Sequence, residues 1–378
     1  MTRAFHPNGT VTRMISVLHA IPSVAAHHGG PSVSVAGLLN ALSETGLIRT
    51  SLICGPDQVE PALSGLSARH DMAYASSRFW LPKAKSLRVM ARAIDQADLI
   101  HVHSYWNGFA ALMVALAHRA GKPIVLSPRG CLHADAMAQS SQAAKRVFAA
   151  LGGKRQLKQI AGFHFQTEDE AKASIGRAGR PSIILDNGVA LPEPNGSRCA
   201  LFGQTQTDPN LVFLGRIARI KGIDLQVKAI ALLQGQGIRA HLHLVGPDGG
   251  DLTRLIALAK TLGVSDQLHT HGPVFSDTKY QWLRAADAVL MSSEFENNSN
   301  AALEAMAAGG VLIGTEGCIP DGPVQAQAAR RVARSAEALA EAIRHRSDTR
   351  DAARYYVRLN HDWASRAHLM LAFYEKLL

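Results

Sequence analysis

Short runs of β-branched and aliphatic residues alternate with longer amphipathic stretches along nearly the whole chain, and few folds accommodate that order. RMISVLHAI, RTSLICG, DLIHVHS, PIVLSPRG, GFHFQT and SIILDNGV occupy the first half; LVFLGRI, AHLHLVG, QLHTHGPV, DAVLMSS and GVLIGTEG occupy the second. Strand–helix alternation of this kind predicts an α/β protein with parallel sheets covered by helices on both faces. A chain of 378 residues exceeds one typical core, so two domains are expected. The stretch 187–210 holds three Pro and three Gly with little periodicity, which marks the seam. Two doubly wound, Rossmann-like domains are therefore predicted, residues 1–188 and 189–355, facing each other across a cleft. Residues 356–378 read as a C-terminal helix packing back on the first domain, with Trp363 as its anchor.

Composition narrows the function. The chain is 47% hydrophobic and 19% charged, which describes an ordinary globular protein. Cys54, Cys131, Cys199 and Cys318 are scattered without a C-x-x-C pair. That spacing argues against a zinc ribbon or disulfide framework and for a reducing compartment. No apolar run is long enough to span a bilayer, and no cleavage site follows the first strand, so a cytoplasmic location is expected. The net charge of +10 calls for an anionic partner. It concentrates in Arg78–Arg92 and Lys145–Lys158, segments that read either as a peripheral contact with an anionic membrane or as solvated helix faces. Nucleic acid is not expected, because no recognised module or stacking face is present.

In open α/β sheets ligands lie beyond the carboxyl ends of the strands, so the strand exits carry the functional reading. No G-x-x-x-x-G-K-[ST] string exists, and no G-x-G-x-x-G opens a helix after a strand. Instead, Gly29 and Gly30 follow the first strand, where backbone N–H groups can approach an anion, although a glycine pair also makes a plain turn. LVFLGRIARIKGIDL puts Arg216 and Lys221 just past a strand, with Gly215 and Gly222 keeping the backbone bare. Two fixed cations there suit a diphosphate, though a solvated loop reads the same way. Gly246 lies in a further glycine-rich exit, LVGPDGG. SEFENNSNAALEAMAAGG, residues 293–310, places Glu296 before a helix and Glu304 within it, with Ser299 or Asn300 as N-cap and Gly309 and Gly310 ending it. Ionised carboxylates on one cavity accept hydrogen bonds from sugar hydroxyls.

EFENNSNAALEAMAAGG resembles the E-x7-E motif of the "group 1" family of retaining glycosyltransferases, glycosyltransferase family four, which have the GT-B fold. LVFLGRIARIKGIDLQVKAIALL resembles that family's G-R-x4-K-G segment. DLIHVHSYWNG, KPIVLSPRG, FHFQTEDEA and DNGV resemble its N-terminal strands and its crossing between domains. The resemblance implies transfer of a sugar from a nucleoside diphosphate sugar to the hydroxyl of a saccharide or lipid-linked acceptor, with retention and without a metal or other cofactor. It suggests a role in bacterial surface polysaccharide synthesis. By matching positions, Arg216 and Lys221 would hold the diphosphate, Glu296 the transferred sugar and Glu304 the ribose. Asn298, Ser299 and Asn300 would line the sugar and phosphate, and Gly29 and Gly30 the phosphates and acceptor. Departures are Arg129 where many relatives carry His, a cation that could meet either an anionic acceptor or the leaving phosphate, with His103 the remaining polar group over the acceptor, and ENNS where E-G-F-G is usual.

Other features remain open. His101/His103, His241/His243 and His269/His271 are alternate-residue pairs, each on one strand face; the latter two read mainly as packing rather than metal ligands. Trp106 and Asn107 suit either an acceptor contact or packing. A nucleotide-sugar epimerase on the same fold, and a non-catalytic protein binding a nucleotide sugar or anionic lipid, are the alternatives. The first makes product from donor alone; the second makes none.

Overall fold

The computed structural model describes residues 4–5, 11–12, 14–25, 30–56, 63–76, 80–132, 153–175, 177, 179–193, 202 and 208–378. The chain forms two compact units, Met1–Gly188 together with Trp363–Leu378, and Val189–Asp362. Gly29 and the stretch 145–152 of the second basic segment lie outside the described residues.

The first unit is built on seven strands: β1 (Ile15–Ala20), β2 (Ile48–Cys54), β3 (Ala68–Asp71), β4 (Leu99–His103), β5 (Ile124–Ser127), β6 (Gly162–Phe165) and β7 (Ser182–Ile184). Their order is β7-β6-β5-β4-β1-β2-β3, and every pairing is parallel. The second unit has β8 (Asn210–Leu214), β9 (His241–Val245), β10 (Leu268–Gly272), β11 (Ala288–Met291), β12 (Leu312–Thr315) and β13 (Ala329–Val332). These run β10-β9-β8-β11-β12-β13, again all parallel. Both sheets thus reverse direction between their first and fourth strands, which opens a crevice at the carboxyl ends of those strands. Apolar clusters cover both faces of each sheet, as buried parallel strands require.

The segment 356–378 is divided. Helix Arg350–Asn360 belongs to the second unit, and helix Trp363–Leu377 packs in the first. Met370, Leu371, Phe373 and Tyr374 of the latter join Val17, Leu99 and Val125 in one cluster. Trp363 lies where Gly37 and Gly188 leave room: a Cβ at either glycine would fall 2.4 Å from the indole. The tryptophan is an anchor of this helix.

Toward the carboxyl ends of four adjacent strands, that same apolar face turns polar. His19, His101, His103, Ser127 and His164 are buried there in a row. Their hydrogen bonds form two directed chains. The Leu185 carbonyl can only accept, so His164 donates to it from Nε2 at 2.8 Å. Ser127 then donates to His164 Nδ1 (2.7 Å), His101 donates from Nε2 to Ser127 (2.6 Å), and the Tyr374 hydroxyl donates to His101 Nδ1 (2.6 Å). In the second chain Arg129 can only donate, at 3.4 Å from both Nε and Nη2 to His103 Nδ1. His103 Nε2 therefore donates to His19 Nδ1 at 3.1 Å, and His19 Nε2 is left buried without a partner among the described residues.

Burial, followed by the positive field of Arg129, holds His19 and His164 down to about 3; burial likewise takes His101 and His103 well below their ordinary range. A histidine depressed in the folded state contributes stability that is complete above its unfolded value of 6.5 and lost as pH falls toward the folded value. Between pH 7.5 and 5, His19 and His164 should each withdraw about 2 kcal/mol of folding stability. Urea midpoints measured across that window should fall, and His164→Gln should flatten the slope; a level profile would exclude the neutral row.

Candidate active site

In the second unit, neighbouring strands β8 and β11 bring two strand exits together. Past β8 the chain runs through Gly215 and the exposed Arg216, whose side chain has no partner among the described residues. It then makes a single 3-10 turn, Arg219–Lys221, and enters helix Ile223–Gly235 through Gly222 at φ 60°. Glycine is required at 222 twice over: the backbone is left-handed, and a Cβ would meet the Ser292 carbonyl at 2.2 Å. Gly246 is equally constrained, its position a Cβ's 1.9 Å from the Gly215 carbonyl.

Ser292, at the end of β11, bolts the two exits. Its hydroxyl lies 2.8 Å from the Gly222 carbonyl and 3.1 Å from that of Lys221, and it accepts from Gln226 Nε2 at 2.8 Å. The Glu294 N–H donates to the Ile220 carbonyl at 2.9 Å. With the loops fixed, Lys221 Nζ donates to Glu296 Oε1 at 2.5 Å, and the Ser293 hydroxyl donates to the same oxygen at 2.6 Å. The side chains of Lys221 and Glu296 are 25% and 13% exposed, so the pair is partly desolvated yet open to a ligand.

Helix Asn300–Ala308 follows. Ser299 caps it, accepting from the Ala302 N–H, and Gly309 ends it in the left-handed conformation. Glu304 is buried in its second turn; burial pushes its carboxyl upward, and Lys279 opposes this by donating from Nζ to Oε1 at 2.8 Å. The two acids thus have separate lysine partners rather than one shared cation. Lys279 is the group that sequence reasoning missed, since it stands in helix Ser276–Ala285 outside any motif and meets Glu304 only through the fold. Asn298 Oδ1 is buried with no hydrogen-bond partner among the described residues.

In the first unit, Gly30 is the first residue of helix Gly30–Glu44. Arg129, just past β5, has φ 54° and is followed by Gly130 at φ 79°. Glu170 fixes this turn by accepting the Gly130 N–H, while its other oxygen takes the Gln166 N–H at 2.7 Å. The guanidinium donates to Ser34 Oγ at 2.7 Å and to His103. His103, expected as a direct polar group over the acceptor, is instead fully buried; it can act on a ligand only by orienting Arg129. Trp106 donates to the Cys131 carbonyl at 2.6 Å, and Asn107 caps helix Gly108–Arg119, so both have packing roles.

Histidines gather in both units, and each gathering invites a metal reading. His19, His101 and His103 have ring nitrogens within 4.8 Å of one another. However, the directed chains occupy the lone pairs that a metal would need, and Arg129 adds a cation beside them. In the second unit His241 contacts His269, and His243 contacts His271, each at 3.0 Å. These rings stack on one another, and His243 and His271 lie tilted against Trp282, a packed ladder on β9 and β10.

Residues 202–360 match the family described as glycosyl transferases group 1, and residues 29–184 match the glycosyl transferase 4-like domain. The D-inositol 3-phosphate glycosyltransferase of Nocardiopsis dassonvillei is 30% identical over 235 residues, covering 57% of this chain and 53% of that protein. The protein of the same name from Pseudarthrobacter chlorophenolicus is 27% identical over 319 residues, covering 76% and 74%. The chain spans about half the length of the first relatives it matches, 51–56%. Among solved structures, the sucrose-phosphate synthase of Thermosynechococcus elongatus superposes with a TM-score of 0.74 at 18% identity, over 96% of this chain and 99% of that one. HepE of Anabaena, in complex with UDP and glucose, gives 0.73 at 15% identity, over 96% and 100%. At such identities the structural likeness concerns the fold, and the fold is GT-B. With both family matches in chain order and the GT-B architecture beneath them, the chain belongs to the group 1 glycosyltransferases.

Proposed function

We propose that the protein is a retaining glycosyltransferase that moves a sugar from a nucleoside diphosphate sugar to a hydroxyl of a saccharide or lipid-linked acceptor, in the synthesis of a bacterial surface polysaccharide. The observation that carries this reading is the Lys221–Glu296 pair, 2.5 Å apart where the exits of β8 and β11 meet; the exposed Arg216 follows the same strand β8. HepE is described in complex with UDP-glucose, and WaaG as a glycosyltransferase involved in lipopolysaccharide biosynthesis, and both share this fold.

In the proposed reaction the bond from the anomeric carbon to the leaving phosphate oxygen breaks, and negative charge gathers on the diphosphate. Lys221 and Arg216 stabilise that growing charge, which is where fixed cations contribute most. Glu296, freed from part of its contact with Lys221 by the incoming diphosphate, accepts hydrogen bonds from sugar hydroxyls. Asn298 Oδ1 offers a further acceptor, and Glu304, held by Lys279, takes the ribose. The acceptor oxygen attacks from the face the phosphate leaves, and the departing phosphate takes its proton. No protein base is then needed, and the cations already present do the work of a metal.

Lys221→Ala and Arg216→Ala should each remove about 2–4 kcal/mol of transition-state stabilisation, read as kcat/KM with the cognate donor, while a chelator leaves turnover intact. Near-normal kinetics in both variants would remove them from the site, and metal-rescued loss would overturn the metal-free mechanism.

A peripheral membrane contact is part of the proposal. Helix Ala84–Asp95 buries Met90, Ala93 and Ile94 and leaves Lys85, Arg88 and Arg92 exposed beside Leu87, an arrangement suited to anionic lipid. Lys85→Glu with Arg88→Glu should release the protein from phosphatidylserine vesicles in sedimentation. Unchanged binding would leave the helix as a solvated face.

A further inference from the structure

We propose that Arg129, with Ser34 beside it, forms an oxyanion site in the first unit that takes the phosphate of a phosphate-bearing acceptor. The inference rests on the glycosyltransferase reading and names the substrate class its acceptor belongs to.

Three observations meet at this side chain. Among the described residues Arg129 forms no direct ion pair. The carboxylate that acts on it, Glu170, already takes a backbone N–H on each oxygen. The groups packed nearby are His19, His101, His103 and His164, all neutral, and the un-ionised Tyr374. A half-buried guanidinium in such company is unfavourable unless an anion completes it.

The second observation concerns its donors. A guanidinium carries five N–H groups. Nε and Nη2 share His103 Nδ1 as acceptor, and one Nη1 hydrogen goes to Ser34 Oγ. Among the described residues, one hydrogen on Nη1 and one on Nη2 therefore have no acceptor. These two N–H groups are donors for phosphate oxygens, the kind of anion that the arginine fork is suited to bind.

Third, the backbone is held in an unfavourable place to aim this fork. Arg129 has φ 54°, a region that non-glycine residues seldom occupy, and the Glu170 bond to Gly130 N–H keeps it there. Strain that the surroundings fix in this way gathers at ligand clamps. Arg216 and Lys221, proposed to hold the donor diphosphate, belong to the other unit; the acceptor is the ligand proposed for Arg129, and UDP binding by an Arg129 variant tests that assignment.

A phosphate ester could come from a soluble sugar phosphate or from a prenyl-diphosphate-linked saccharide, and binding measurements on the full chain separate them. Calorimetry would compare glucose 6-phosphate with glucose, and farnesyl diphosphate with farnesol in the same detergent, with UDP as donor-site probe. At least one phosphorylated probe should bind about tenfold or more tightly than its neutral partner; which one does so identifies a soluble or a lipid source. Arg129→Gln should abolish that preference while UDP binding persists, and Ser34→Ala, which keeps the charge, should weaken it several-fold. Equal affinity for charged and neutral probes, or preference unchanged in Arg129→Gln, overturns the site. Loss of UDP binding in a folded Arg129→Gln protein reassigns the arginine to the donor and overturns the acceptor assignment. Failure of the glycosyltransferase reading itself is distinguishable, because every nucleotide diphosphate would then fail to bind the wild-type protein while phosphate discrimination persisted.

Discussion

The bond network around Ser292 is the constraint on which the second unit's chemistry depends. One hydroxyl at the end of β11 ties down the turn that follows β8, and glycine at 222 lets the turn come close enough to be tied. Without that clamp Lys221 and Glu296 would sit on two independent loops, each free to turn to water. With it, a cation and an anion 75 residues apart in sequence meet in one partly dry place. A short ion pair of this kind adds little to folding stability once its desolvation is counted. In the proposed reaction its value lies in readiness, since both groups are oriented before the donor arrives.

The first unit applies the same sheet topology to a different end. Its switch between β1 and β4 is lined by histidines that are buried and neutral, arranged so that each donor finds an acceptor except at His19 Nε2. Such a row does no acid–base work at neutral pH. It forms a rigid polar floor, and Tyr374 brings the C-terminal helix into it. Arg129 lies at the end of one chain, so the one permanent charge in the row is aimed by His103 and Ser34 rather than by its own flexible stem.

Much of this was legible in the sequence because the relevant signals are local. Strand–helix alternation, the glycines at strand exits, the Ser299 cap and the cations after LVFLG are all written within a few residues of where they act. Two of the four edge strands were not legible: β3 (ARHD) and β13 (ARRV) are short and charged, the pattern that protects an edge from aggregation and hides it from a hydrophobicity reading. Partnerships across the fold were hidden too. Nothing near Lys279 announces Glu304, and nothing near His103 says that it faces Arg129 instead of a ligand. The alternation in HVH and HLHLV gave a shared strand face, but only the register of neighbouring strands determines whether such histidines meet one another.

The central claim is that the Lys221 ammonium receives a nucleoside diphosphate. It is tested most directly by thermal shift with UDP-, GDP-, ADP- and dTDP-sugars in chelator, on the wild type and on Lys221→Ala. Selective binding to the folded form stabilises it by about 2.7 kcal/mol at a hundredfold excess over Kd. The account predicts one base class giving such a shift in the wild type and a much smaller one in the variant. Equal shifts in the two proteins, or none with any nucleotide sugar, would contradict it.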